Sequence, residues 1–441
     1  MGRRLFDTPQ DLVLGRSVVS ANNTPPLVLP EHERFYHIHI LGRPGSGKST
    51  LMKNLILQDI LEGRGCCVLD PHGDLVEDIL AHFPNGRLND LAYLDPSLSD
   101  AVCSINPLFA VPSEQHSLVV SNVIEMFRSI WPEGFGPRME DVFRNSLLAL
   151  LEQPPSQGVS LSSITRLLQD PHYRRSCLKH VQNSEVRNFF EYDFNRLPLR
   201  EQIRDAGPVK NKLRAFLSDP LMRDIFALSR PTLDLQRAME DGRVILVNLS
   251  QGKIGSNNAR LLGSIIISSL RFAAQACAQD LEHDRLPFHL YIDEFQNFVT
   301  QDLVRGFAEV RKHRLSYVVA HQHRTQLPPE LIDAVKETVG TMVAFALGIE
   351  DARYYAPVFE PVSPTHLSSQ DVGFAFVRHA YRSGLINQLS VDRTGYEKTN
   401  VRDKALRISR EHFYLDRARA RSMIEKSERR HREKFPFKTR R

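Results

Sequence analysis

The stretch "HIHILGRPGSGKSTLM", residues 37–52, decides how the chain around it must fold. It contains the pattern G-x-x-x-x-G-K-S, running Gly42, Arg43, Pro44, Gly45, Ser46, Gly47, Lys48 and Ser49, with Thr50 next. Glycines let the backbone turn tightly, so that successive N–H groups point inward and make a concavity for an anion. In such a loop Lys48 reaches the β- and γ-phosphates of a nucleotide, and the Ser49 hydroxyl is a ligand for Mg2+. The helix that follows aims the positive end of its dipole at the same charge. The expected phosphate cradle is therefore Gly42, Pro44, Gly45, Ser46, Gly47, Lys48, Ser49 and Thr50.

The flanks supply the context that a chance glycine-rich turn lacks. Ile38, Ile40 and Leu41 read as a short buried strand before the loop. Leu51, Met52, Leu55 and Ile56 continue after it at helical spacing to residue 61, with Gly63 and Gly65 as the stop. Downstream, "CCVLDPHGDL" is a strand ending at Asp70, "LAYLDP" another, and "GRVILVNLS", "FHLYIDEF", "LSYVVAH", "TMVAFALG" and "VGFAFVR" follow. Strands alternating with helices predict an α/β fold with a mostly parallel sheet and ligands at the carboxyl ends of its strands. Residues 108–241 break the rhythm: "SLVVSNVIEMFRSIW", "MEDVFRNSLLALLEQ" and "SLSSITRLLQD" are helical, with prolines and polar turns between them. The expected organisation is an N-terminal extension over 1–35 and a first core part over 36–107. A helical insertion follows over 108–241, then a second core part over 242–400 and a basic helix or tail over 401–441.

Composition sets limits. With 441 residues, 41% hydrophobic and 25% charged, the chain has the make-up of a soluble globular protein. Its longest apolar stretch, "LLGSIIISSLRFAAQACA", is broken by Arg271 and serines, so no direct membrane insertion is expected. The five cysteines, at 66, 67, 103, 177 and 277, are scattered and lack C-x-x-C spacing, which fits a reducing cytoplasm and argues against a zinc site. Residues 400–441 hold fifteen Lys/Arg against six Asp/Glu, so the net charge of +5 is concentrated in the tail. That end suits nucleic acid or another anionic partner, or is simply a solvated terminus.

Two later segments complete a hydrolytic site. In "HLYIDEF", Asp293 and Glu294 stand at the carboxyl end of an apolar strand. Asp293 would help hold Mg2+, and Glu294 would orient and polarise the attacking water. Gln322, at the end of "SYVVAHQ", is placed to contact the γ-phosphate, or else to satisfy local backbone. His321 and His323 have no spaced metal partner and read as structural. Arg311, Lys312 and Arg314 precede that strand. One of them would act as an arginine finger on a neighbouring subunit, or all would neutralise a helix C-terminus.

Taken together, "LGRPGSGKST", "VLDPHGDL", "INPL", "VILVNLSQGKIG", "YIDEFQNF" and "AHQHRTQLP" resemble the FtsK/HerA superfamily of P-loop ATPases over residues 36–380. The TraG/TraD-type coupling ATPases of conjugation and type IV secretion are most similar. The resemblance implies a RecA-like core, a hexameric ring, ATP at subunit interfaces, DNA in a central channel and an all-α insertion. By position, Lys48 and Ser49 match the family's P-loop pair, Asp293 and Glu294 its acid pair, and Gln322 its sensor. The family's trans arginine precedes a lysine eleven residues before that glutamine, which falls on Arg311 followed by Lys312. The membrane helices of coupling proteins and the β-barrel that opens HerA proteins have no counterpart in residues 1–35, so membrane docking is not inherited.

The expected function is an ATP-hydrolysing ring motor that moves DNA, single- or double-stranded. The alternative is a nucleotide-gated assembly ATPase in a repair or anti-phage complex, which Glu294 and Arg311 count against. A phosphotransferase fits least, for want of an acceptor-pocket motif. A relaxase, a nuclease or a secretion component would be the protein partner.

Overall fold

Runs that are apolar along their whole length become strands covered on both faces, and that coverage shapes this chain. The computed structural model describes residues 11–18, 25–131, 134–276, 286–298, 301–379, 386–391, 396–399 and 401–434. The chain divides into two compact units, Met1–Leu94 with Leu235–Ser409, and Asp95–Asp234 with Arg410–Arg441.

Thirteen strands occur among the described residues. In chain order they are β1 (Leu12–Ser17), β2 (Pro26–Leu29), β3 (Ile38–Leu41), β4 (Gly65–Asp70), β5 (Leu91–Leu94), β6 (Ala101–Val102), β7 (Val244–Asn248), β8 (Phe288–Ile292), β9 (Leu315–His321), β10 (Thr341–Ala344), β11 (Phe374–His379), β12 (Ile386–Ser390) and β13 (Leu415–Asp416). The first unit is built on one eleven-stranded sheet in the order β2-β1-β12-β11-β10-β3-β9-β8-β4-β7-β5. From β10 to β5 every pairing is parallel. Every residue of β3, β4, β5, β7, β8, β9 and β10 is buried, which is why these segments read as continuous apolar runs. The helix Lys48–Leu61 packs Leu51, Leu55 and Ile56 into the same core as Ile38, Ile40, Val318 and Val343.

The other side of β10 differs. β11, β12, β1 and β2 continue the sheet antiparallel. The segment expected as an extension thus supplies two strands of the sheet, β2 at its edge and β1 beside it, with β1 pairing β12 through Arg16↔Ser390 and Ser17↔Leu389.

One local expectation needs correction. Gly65 is the first residue of β4 rather than part of a helix stop, which falls at Gly63 with φ 79°. The helix Gln301–Val310 gives way to a turn over Arg311–His313, and Arg314 takes a left-handed φ of 54°. A long helix after β7 spans Ser256–Ala276, and Cys277 lies outside the described residues.

The second unit is mainly helical, and Phe127 anchors it. Its ring meets Phe143 edge-on at 5.2 Å and Phe216 at 5.9 Å, while Phe216 lies 5.2 Å from Phe226. β13 pairs β6 antiparallel in a two-stranded sheet, and the helix Arg417–Lys434 follows. Two of the basic residues are drawn inward. Arg417 and Arg421 both donate to Asp224, a fully buried carboxylate, at 3.0 and 2.9 Å. Among the described residues, no helix is long and apolar enough to cross a membrane.

Candidate nucleotide site

The loop between β3 and the helix Lys48–Leu61 is closed by its own hydrogen bonds. Arg43 N–H donates to Ala346 O at 2.9 Å, just past β10, and the Ser46 hydroxyl donates to Arg43 O at 2.8 Å. Gly47 has φ 121°, and a Cβ there would lie 3.0 Å from the Phe345 ring and 3.3 Å from Gly373 Cα. Only glycine therefore fits between the loop and the segment leading into β11.

Lys48 is buried, and its ammonium donates to the carbonyls of Gly42 at 2.7 Å and Arg43 at 3.1 Å. Burial lowers its pKa, opposed by the nearby charges of Glu294 and Asp293. Ser49 is exposed in the first turn, where its hydroxyl is open to a ligand. A cleft of about 330 Å3 opens here, lined by Gly45, Gly47, Lys48, Ser49 and Thr50 on one wall and by Val372, Gly373 and Val391 on the other. Gly373 N–H donates to Ser46 O at 2.9 Å, and Val391 N–H to Gly373 O at 2.8 Å, so this wall is tied to the loop.

The acids come from the end of β8. Asp293 N–H donates to Leu69 O at 3.1 Å, and Asp293 Oδ1 accepts the Glu294 N–H at 3.0 Å. Glu294 stands in the left-handed region at φ 46°, which turns the chain out of the strand and into the short turn Phe295–Asn297. Both acids are buried. Desolvation, then the carboxylates of Asp70 and Glu294, push Asp293 up to about 6, with Lys48 pulling the other way. Asp70 has its own work: it accepts the N–H of His72 at 2.9 Å and of Val76 at 3.0 Å, capping the helix Asp74–Ala81. His72 thus sits in a turn.

Gln322, immediately after β9, donates its side-chain N–H to Glu294 Oε1. Gln296 donates to the other oxygen, Oε2. His321 is fully buried, stacked on His39 of β3 at 4.9 Å, with His39 Nε2 and His321 Nδ1 2.9 Å apart. Burial and the Lys48 charge hold His321 down at about 3, so it is neutral and ties β3 to β9. The structure therefore brings Lys48, Asp293, Glu294 and Gln322 into one site. Arg311 stands apart from it. It is exposed, its guanidinium lies 3.4 Å over the Tyr36 ring and donates to the Tyr36 hydroxyl. Arg314 lies over Phe35 at 5.6 Å.

No family model matches the sequence, and no curated protein matches it either. Solved structures do match the fold. The bacterial conjugative coupling protein TrwBdeltaN70, unbound, superposes with a TM-score of 0.61 at 14% identity, over 89% of this chain and 90% of that one. TrwB in complex with ADP and Mg2+ gives 0.61 at 15% identity, over 90% and 98%. VirB4 of Thermoanaerobacter pseudethanolicus also gives 0.61 at 15% identity, over 88% and 98%. This chain shares the P-loop NTPase fold of TrwB and VirB4. The likeness is one of architecture; the chemistry rests with the residues of the site.

Those residues suit a nucleotide with a hard divalent cation. Asp293 and Glu294 lie in the field of the Lys48 ammonium, and burial, then the carboxylates of Asp70 and Glu294, raise Asp293. Among the described residues, no group of three or more His, Cys, Asp or Glu side chains is arranged to hold a metal by itself. Mg2+ keeps waters and takes one or two protein oxygens beside phosphates. Ser49 and Asp293 are the residues that would hold it. Asp70, Gln296, Val372, Gly373 and Val391 were given no role from sequence. Gln296 enters with the turn after Glu294, and the others join the site through strand order.

Proposed function

We propose that the chain is an ATP-hydrolysing ATPase of the type IV secretion kind, acting as a ring motor on DNA. The observation that carries hydrolysis is Glu294: a buried carboxylate, next to the metal-side acid, within the field of Lys48 and bonded to Gln322. Bound ATP with Mg2+ supplies an activated phosphoryl group. Lys48 and the loop N–H groups would hold its phosphates, Thr50 and the Val372–Gly373 wall would flank the remainder, and Glu294 would take a proton from water. Support for nucleotide identity comes from TrwB, seen with ADP and Mg2+ and with a non-hydrolysable ATP analogue. Support for DNA as cargo comes from the shared fold of a conjugative coupling protein and from the basic residues of 400–441. A homohexamer and a relaxase, nuclease or secretion component as partner belong to the same reading.

The test is an ATPase assay on purified protein without DNA, with single strands and with duplex, alongside size measurement with and without ATP. Lys48→Ala should abolish nucleotide binding. Glu294→Gln should bind ATP and turn it over at least about a hundredfold more slowly, since general-base catalysis contributes 10²–10⁴-fold. Full turnover by Glu294→Gln would remove Glu294 as the base. Turnover unaffected by either form of DNA, in a protein that assembles normally, would favour the nucleotide-gated assembly role.

A further inference from the structure

We infer that Gln296 is a positioning residue for Glu294: it fixes one carboxylate oxygen so that the other can pass between Gln322 and the attacking water. The inference rests on the reading of Glu294 as the general base. Both carboxylate oxygens of Glu294 accept an amide N–H, Oε2 from Gln296 and Oε1 from Gln322. The two donors are not equivalent. Gln296 lies in the turn Phe295–Asn297, two residues from Glu294, and Asn297 N–H donates to Glu294 O at 2.9 Å. Phe295 of the same turn is fully buried and meets the Phe307 ring at 6.0 Å, so Gln296 is anchored with the backbone that carries Glu294. Gln322 follows a different strand, β9.

The state of the Gln296 amide supports this. Its oxygen is buried without a hydrogen-bond partner in the protein, so the amide is oriented through its N–H alone, toward Glu294. An unpaired buried carbonyl is unfavourable, and a charge-assisted bond on the other end of the amide offsets it. A general base must present a free lone pair at a set distance from water. A γ-phosphate that draws the Gln322 N–H to itself leaves Oε1 free, while Gln296 keeps Oε2 from turning. The proton then moves from water to a carboxylate held in one orientation.

The experiment uses the full chain and compares ATP turnover with binding of a fluorescent ATP analogue. Gln296→Ala should lower kcat about tenfold, with KM and analogue affinity unchanged. Gln296→Glu should be slower still, because it sets one carboxylate against another. In the Glu294→Gln background, Gln296→Ala should lower the residual rate no further, which a merely structural residue would not show. Where Gln296→Ala melts early, Gln296→Met keeps the volume without the donor and takes its place. Wild-type kcat in these variants, or an undiminished fall in the Glu294→Gln background, overturns the inference. Full turnover by Glu294→Gln itself instead overturns the reading beneath it, so the two failures are distinct.

Discussion

Asp293 stands in an environment that works against its charge. Its carboxyl is raised from 3.8 to about 6 by burial and by the carboxylates of Asp70 and Glu294. A raised carboxyl pKa favours the protonated folded state, so the stability it contributes is complete below about pH 4 and is lost as pH rises through about 6. Above that, the ionised group costs the folded chain up to about 3 kcal/mol. Asp293→Asn should therefore raise the urea midpoint of the nucleotide-free protein at pH 8, with the advantage shrinking toward zero below pH 4. Equal midpoints at pH 8 would contradict the raised pKa. The same change removes an oxygen from the expected Mg2+ side of the site, so stability and turnover should move in opposite directions. At this scale the loop, the acid pair and Gln322 were legible because each stands at a strand end in a recognisable pattern. Gln296 was not, because an amide in a turn gives no sign of facing a carboxylate until the turn is built.

Elements explain why eight of the eleven strands were readable and β1, β2 and β12 were not. The parallel strands announce themselves as short apolar runs between helices. β1 and β12 do not: β1 alternates buried and exposed positions, and β12 keeps Leu389 as its one fully buried residue. Such strands, at the antiparallel end of the sheet, depend on their neighbours for identity, so residues 1–35 read as an extension. Asp59 is a second case. In sequence it interrupts the apolar side of the helix Lys48–Leu61, and only the fold supplies its partners. Arg34 donates to it twice, at 2.8 and 2.7 Å, Tyr291 of β8 at 2.6 Å and Arg64 at 2.7 Å. Both Arg34 and Asp59 are fully buried. This cluster fastens the far end of the P-loop helix to the sheet. Arg34→Met, which takes from the buried Asp59 carboxylate its bidentate partner and leaves it Arg64 and Tyr291, should lower unfolding free energy by about 3 kcal/mol, while Arg34→Met with Asp59→Leu should recover much of that loss. A denaturant series on both variants checks this, and a double variant no more stable than the single would show that the charges themselves hold the helix in place.

At the scale of the whole molecule, the two ends of β9 separate what one chain can do alone. Gln322 follows the carboxyl end of β9, and Arg311 precedes its amino end across the turn Arg311–His313. The strand has seven residues, and at about 3.3 Å per residue its ends lie about 23 Å apart. Tyr36, which holds Arg311, likewise precedes β3 while the phosphate loop follows it. An arginine side chain cannot span that distance, so any contact of Arg311 with a transferred phosphoryl group must be made on another copy of the chain. The prediction is specific to assembly. Arg311→Ala and Lys48→Ala proteins should each be inactive alone. Mixed at varied ratios they should recover part of the wild-type ATPase rate, through interfaces that pair an intact loop on one subunit with an intact Arg311 on its neighbour. Recovery should peak at intermediate ratios and vanish if the oligomer is dissociated. No recovery at any ratio, in mixtures that assemble as the wild type does, would take the finger role from Arg311 and leave its stacking on Tyr36 as a surface contact.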